Sequence, residues 1–168
     1  GDPRLAARLM ASAGLLGPAD AEELHRVRQI IIDVADEATA DEFDLHDILR
    51  AGEQIVDVIW ILAEQPPTDE ALELVEYAAV TWDEIAVHLY DAGDPYQGEA
   101  DEVGGAIRDV HLGMCHELEP DPEELVGRLR GVVGQAESVS CLDSPDDYAP
   151  LLGDELAATL QPTDQPTA

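Results

Sequence analysis

Residues 44–70 read DLHDILRAGEQIVDVIWILAEQPPTDE, and this stretch decides the fold. Asp44 opens a helix. Leu45, Ile48, Leu49, Gly52, Ile55, Val56, Ile59 and Leu62 then recur at three- and four-residue spacing, one stripe of an α-helix. Pro66-Pro67 stops it, because proline lacks the amide hydrogen and its ring clashes with the preceding turn. Thr68 followed by Asp69 and Glu70 restarts the chain as a second helix: the hydroxyl caps free amides, and the acids suit the positive end of the helix dipole.

The same pattern runs outward in both directions. Downstream, Leu72, Val75, Ala78, Ala79, Trp82, Ile85, Ala86 and Leu89 form the next stripe. The turn Asp91 to Pro95 ends it, and Asp94-Pro95 can restart a helix with proline at its first position. A stripe of Val103, Ile107, Val110, His111, Met114 and Leu118 covers residues 100–118. Asp121-Pro122-Glu123-Glu124 signals a start by cap, proline and capping-box Glu, and Leu125, Leu129, Val132, Val133 and Ala136 follow. Ser144-Pro145 opens a short piece, and Leu151 to Leu160 reads as a last helix. Upstream, Asp20 with Glu23 reads as a capping box ahead of Leu24, Val27, Ile31, Val34, Ala35 and Ala38. Ile30 and Ile32 widen that face and predict burial on more than one side. Pro3 to Leu16 carries a partly apolar stripe of Leu5, Leu9 and Leu16, ended by Gly14 and Gly17-Pro18.

Helix starts fall at 20, 44, 68, 94 and 121. That near-even step predicts antiparallel helices of similar length joined by short loops. Strand-type alternation is confined to a few residues at a time. The expected fold is all-α: an antiparallel bundle, or a short repeat-like stack of helical pairs, of about six to eight helices. Residues 1–160 read as a single domain with its core at about 20–137, and 161–168 as a polar tail.

The chain has 168 residues, 8 arginines, no lysine, and 38 aspartates and glutamates, for a net charge of −30. About a quarter of it is Leu, Ile, Val and Phe, above the roughly 20% below which acidic chains stay disordered. Phosphate backbones are bound by cations that displace counterions, so direct nucleic-acid binding is excluded. No apolar run approaches the ~18 residues of a membrane span. The start Gly1-Asp2-Pro3-Arg4 lacks a Met and a secretory pattern, so the chain is expected to be processed or cut from something longer, and cytoplasmic. Cys115 and Cys141 can form one disulfide at most, and without a secretory signal free thiols are expected.

Candidate chemistry is sparse. His111 and Cys115 share a helix face at i and i+4, a spacing that suits two zinc ligands. His88 and Cys141 would have to converge on them. Because His111 also lies on the apolar stripe, a core histidine bonded to a neighbouring helix is the expected reading, and no metal or other cofactor is assigned. The acidic loop Asp91 to Glu102 has Gly93, Pro95 and Tyr96 where a calcium loop wants Asp/Asn, Asp/Asn and Gly. Only one Glu-x-x-His occurs, Glu22 with His25, against the two of a di-iron bundle. Nucleophile elbows, phosphate loops and dinucleotide fingerprints are absent, and so no catalytic residue is assigned. Gly104-Gly105 inside a helical pattern predicts close helix packing. Trp82 is expected in the core. Trp60, beside its stripe, is a candidate partner anchor together with Tyr90 and Tyr96.

Several pieces between Ile55 and Leu129 occur in a telling order: Glu73-Leu-Val-Glu-Tyr-Ala78, Asp91-Ala-Gly-Asp-Pro95, Val110-His-Leu-Gly-Met-Cys115, Pro120-Asp-Pro122 and Leu125-Val-Gly-Arg-Leu129. In these the chain resembles the α-helical region found beside SWIM-type zinc fingers in bacterial, especially actinobacterial, proteins, over about residues 24–160. The finger itself, a Cys-x-Cys pair followed by Cys-x-His, is absent from this chain, and Arg130-Gly131 stand where the pattern places an aromatic. The resemblance implies an all-α, repeat-like module with no catalytic residue.

These observations lead to a non-enzymatic helical scaffold for protein–protein interaction, with a basic protein as partner. The alternatives are a bundle binding a small molecule or metal near His88, His111 and Cys115, and an acidic protein that mimics DNA.

Overall fold

The computed structural model describes residues 20–40, 42–136 and 140–160. The segment 3–16 and the tail 161–168 lie outside them. Asp20 accepts a hydrogen bond from the Glu23 amide at 2.8 Å and opens α1 (Ala21–Ala38). Asp44 and Asp47 each accept from the other's amide, at 3.0 and 3.1 Å, a full capping box on α2 (Leu45–Ala63). The Thr68 hydroxyl accepts from the Ala71 amide at 3.1 Å ahead of α3 (Asp69–Ala92). Then come α4 (Tyr96–Leu118), α5 (Pro122–Gln135) with Asp121 bonded to the Glu123 amide, α6 (Pro145–Leu152) and α7 (Asp154–Ala158). The described residues form seven helices and no strand, so the protein is all-α. None of these helices is long and apolar enough to cross a membrane.

The long central helix α3 packs against α1, α2, α4 and α5. Both sides of its stripe are therefore covered: Leu72, Val75, Ala78, Ala79, Trp82 and Leu89 are all essentially inaccessible. Each large apolar side chain so buried stabilises the fold by roughly 1.5–3 kcal/mol relative to leaving it exposed. Helix α2 rests on α3 with unusual closeness at Gly52, where a Cβ would come within 2.6 Å of Trp82 Cζ3 and 2.9 Å of Val103 Cγ1. Glycine lets the six-membered ring of the indole approach the α2 backbone closely. Gly104 does the same for Cys141, whose Cβ would sit 2.8 Å from an added methyl group, whereas Gly105 faces only the Arg108 guanidinium.

The structure corrects several expectations. Ile30 is 36% exposed rather than buried, and Ile32 is only half-buried. The reason is that, among the described residues, α1 packs against α2 and α3 alone, and Val27, Ile31, Ala35 and Ala38 suffice to cover that contact. Pro95 precedes α4 instead of forming its first turn. The last helix begins at Asp154 and ends at Ala158 instead of spanning Leu151 to Leu160, because Leu151 and Leu152 close the preceding helix and Gly153 at φ +86° breaks the chain in a conformation that costs glycine little. The capping box expected at α1 is half-formed: the Glu23 carboxylate accepts instead from Gln65 Nε2 at 2.9 Å, tying the start of α1 to the end of α2. The core also runs past residue 137, taking in Cys141, Leu142, Tyr148, Leu152 and Ala157.

Candidate functional site

Two buried polar nodes and one surface furrow hold the chemistry of the described residues. The first node forms where α3, α4, α5 and α6 meet. The α4 stripe turns His111 fully inward, and both ring nitrogens find partners there. Nε2 lies 2.8 Å from Glu76 Oε2, and Nδ1 lies 2.9 Å from the Tyr148 hydroxyl. An ionised carboxylate only accepts, so Nε2 carries the proton and, in the neutral ring, Nδ1 accepts from Tyr148. Burial pushes the Tyr148 phenol above its ordinary range and keeps it a donor. Arg128 Nη1 donates to the other Glu76 oxygen at 2.9 Å, and its Nη2 lies 3.9 Å from Glu124. His111 is thus the core histidine bonded to neighbouring helices that its stripe position predicts.

Cys115 Sγ is 3.8 Å from His111 Nδ1, so the i, i+4 pair does meet. His88 does not join it. That ring packs on Phe43 with centroids 4.8 Å apart, at the far end of α3, about 18 Å along the helix from Glu76. Burial pushes the Cys115 thiol up to about 12, with the nearby Glu76 charge acting in the same direction, so in this fold it is a protonated packing group at neutral pH. Among the described residues, no group of three or more His, Cys, Asp or Glu side chains is placed to hold a metal ion.

The second node latches the 140–142 loop onto the bundle. Asp83 is 3% exposed, and its Oδ1 accepts from the Cys141 amide at 2.9 Å. Arg108 Nη1 donates to the Cys141 carbonyl at 2.9 Å, and its Nε lies 3.1 Å from Asp147. Asp83 Oδ2 has no well-aligned partner. Burial pushes the Asp83 carboxyl up to about 6 against the lowering pull of the Cys141 amide. Cys141 and Cys115 are both free and buried. Burial, then the Asp83 charge, raises the Cys141 thiol well above its ordinary range, so it is a packing group rather than a nucleophile.

The Asp83 shift has a stability consequence. A carboxyl held near 6 in the fold and near 3.8 in the unfolded chain binds its proton more tightly when folded. Its contribution is therefore most favourable below about pH 4 and is lost as pH rises through about 6, a swing of about 3 kcal/mol. Urea unfolding of Asp83→Asn and of the native chain from pH 4 to pH 8 should show the difference between them moving in favour of the variant by about that amount. A pH-independent difference would contradict the assignment.

The three anchor candidates do not share a surface. Tyr90 donates to Asp101 at 2.6 Å, and Tyr96 packs edge-on to His46 with centroids 6.4 Å apart. Tyr90 thus ties α3 to α4, and Tyr96 ties the start of α4 to the start of α2. Trp60 lies near the other end of α2, about 21 Å away along the helix.

Trp60 belongs instead to a furrow between α2 and α4, which run parallel. One depression of about 290 Å³ has Leu49, Val56, Val103 and Ala106 on its floor and Glu53, Asp57, Glu99 and Glu102 at its edges. One turn further along, a second of about 230 Å³ has Trp60, Ala63, Val110, Gly113 and Met114 as floor, with Asp109, Glu117 and Gln65 around it. Every ionisable group named for either depression is an acid. A larger cavity, about 420 Å³ between α1, α3 and α5, differs. It carries both signs of charge, and its arginines are committed: Arg28 lies 4.5 Å over the Tyr77 ring, and Arg128 holds Glu76.

Sequence reasoning anticipated a buried, hydrogen-bonded His111 but missed its partners Glu76, Arg128 and Tyr148, the Asp83 node and the furrow. One signal was present for the nodes: Glu76 and Asp83 stand seven residues apart beside the Leu72–Val75–Ala79–Trp82 stripe, so two acids recur on a flank that must turn inward. Comparison with known proteins adds no relative: no protein-family model, no curated protein and no solved structure matches the chain.

Proposed function

We propose that the chain is a non-enzymatic helical interaction module that engages a basic protein partner. The observation that carries this reading is the α2–α4 furrow, an apolar floor walled on both sides by carboxylates. A surface of this kind supplies contact area from its floor and specificity from its walls, and a net charge of −30 steers cations toward it from a distance. The buried polar groups support the same reading. His111, Glu76, Arg128, Asp83 and Arg108 spend their hydrogen bonds on tying helices and the 140–142 loop together. The resemblance to SWIM-associated helical regions, which implies a module with no catalytic residue, supports the same reading.

The test is a pull-down from host lysate with the full chain as bait, followed by binding of the purified partner at ~50 and ~300 mM salt, between which the Debye length shortens from about 14 Å to about 6 Å and exposed charges are screened from one another. A basic partner whose affinity drops steeply with salt is the expected result. A blank at low salt, an acidic partner, or salt-independent binding would contradict the proposal.

A further inference from the structure

We propose that the occupant of the α2–α4 furrow is a single amphipathic α-helix of the partner, apolar on one face and basic on both flanks. This rests on the reading of the chain as an acidic interaction module and names its site and ligand. Three features of the furrow point to a helix. First, its length: the lining of α2 runs from Leu49 to Ala63, about 21 Å, which matches some four helical turns. Second, its walls are helices whose backbone hydrogen bonds are internal, so an extended peptide would find no sheet edge to pair with and would bury unpaired amides. A helix satisfies its own backbone and needs only a groove for its apolar face. Third, its floor is low at Gly113, where an added Cβ would meet nothing within 4 Å, so a helix can approach the α4 backbone there.

Charge decides what flanks the apolar face. Glu53 stands on the α2 wall, and Glu99, Glu102, Asp109 and Glu117 stand on the α4 wall. On α4 these acids recur at gaps of three, seven and eight residues, one or two helical turns, and Glu53 with Asp57 spans one turn of α2, so arginines or lysines at such intervals along each flank would meet them. A second copy of a chain at −30 brings like charge to both walls and is disfavoured. Membranes and nucleic acids, being anionic, are disfavoured on the same ground.

The probe is a fluorescent 15-residue synthetic peptide with leucines at helical a/d spacing and arginines on both flanks, compared with a scrambled peptide of identical composition. Anisotropy titrations with the full chain should favour the amphipathic peptide by at least about tenfold, or about 1.4 kcal/mol. Gly113→Leu fills the floor while adding helix propensity, so the variant folds and should weaken binding by about tenfold or more. Glu53→Arg with Glu102→Arg should do the same. Glu37→Arg with Glu73→Arg, on exposed positions of α1 and α3, should leave binding within about twofold. Equal affinity for both peptides, with control and furrow variants equally harmful, would overturn the furrow while leaving the acidic-module reading standing. No binding of either peptide at ~50 mM salt would overturn both. A gain in peptide affinity when Arg4 and Arg8 are reversed to Glu would assign the furrow to the chain's own N-terminal stretch, and a dimer abolished by Gly113→Leu would assign it to a second copy; either result overturns the proposal.

Discussion

Replacing Trp82 by alanine should lower the unfolding free energy by about 3–5 kcal/mol, among the largest losses a single side chain can cause here. The indole is 1% exposed on the central helix, and two glycines frame it. Gly52 lies under its six-membered ring, and a Cβ built on Gly104 would sit 3.7 Å from Nε1. Glycines have no side chains to swing into the space left behind. The cavity would stay open, which places the cost toward the upper part of the range. For a chain of this size, the melting temperature should fall by about 6–20 °C. Differential scanning calorimetry reads this directly. A loss under about 1 kcal/mol would mean that α2 and α4 collapse onto the vacated site, and that the close packing described for Gly52 does not hold the bundle's shape.

The second large effect is expected from Glu76→Ala. Glu76 is the shared acceptor of a buried histidine and an arginine, with separations of 2.8 and 2.9 Å. Truncating it strands both donors in a largely desolvated place. Breaking such a pair by removing one partner costs about 3–5 kcal/mol. The Arg128 side chain is 20% exposed, so water can reach part of it, and the lower end of that range applies. Glu76→Gln should recover part of the loss, because the amide oxygen still accepts from one donor while the charge is gone. Chemical denaturation of the three proteins at pH 7 decides the matter. Equal stability of the alanine and native chains would show that the node contributes nothing to the fold.

Much of the architecture was legible because it is written locally. Asp20, Asp44, Thr68 and Asp121 cap helices as their positions suggest, since a cap depends on amides within three residues. Trp82 and His111 are buried because a stripe residue on a helix with covered faces has nowhere else to go. What was not legible depends on which helix lies beside which. Ile30 looked like part of a second buried face, yet among the described residues α1 has neighbours on one side alone. Glu76 and Arg128 are 52 residues apart, and Asp83 meets the Cys141 amide across 58. No spacing rule connects such pairs, and 38 acids make any single carboxylate look ordinary. The furrow was hidden for the same reason. Trp60 could be seen to stand beside its stripe, but its neighbours Val110 and Met114 come from a helix about 50 residues later.

The most direct measurement of the central claim is amide hydrogen exchange of the full chain, alone and saturated with its basic partner. Exchange reports local opening segment by segment, so it shows which helices the partner covers. The account predicts added protection over residues 49–63 of α2 and 99–117 of α4, with α1 and α5 unchanged. Protection confined to α1 and α5, or the absence of any change in a complex that forms, would contradict it.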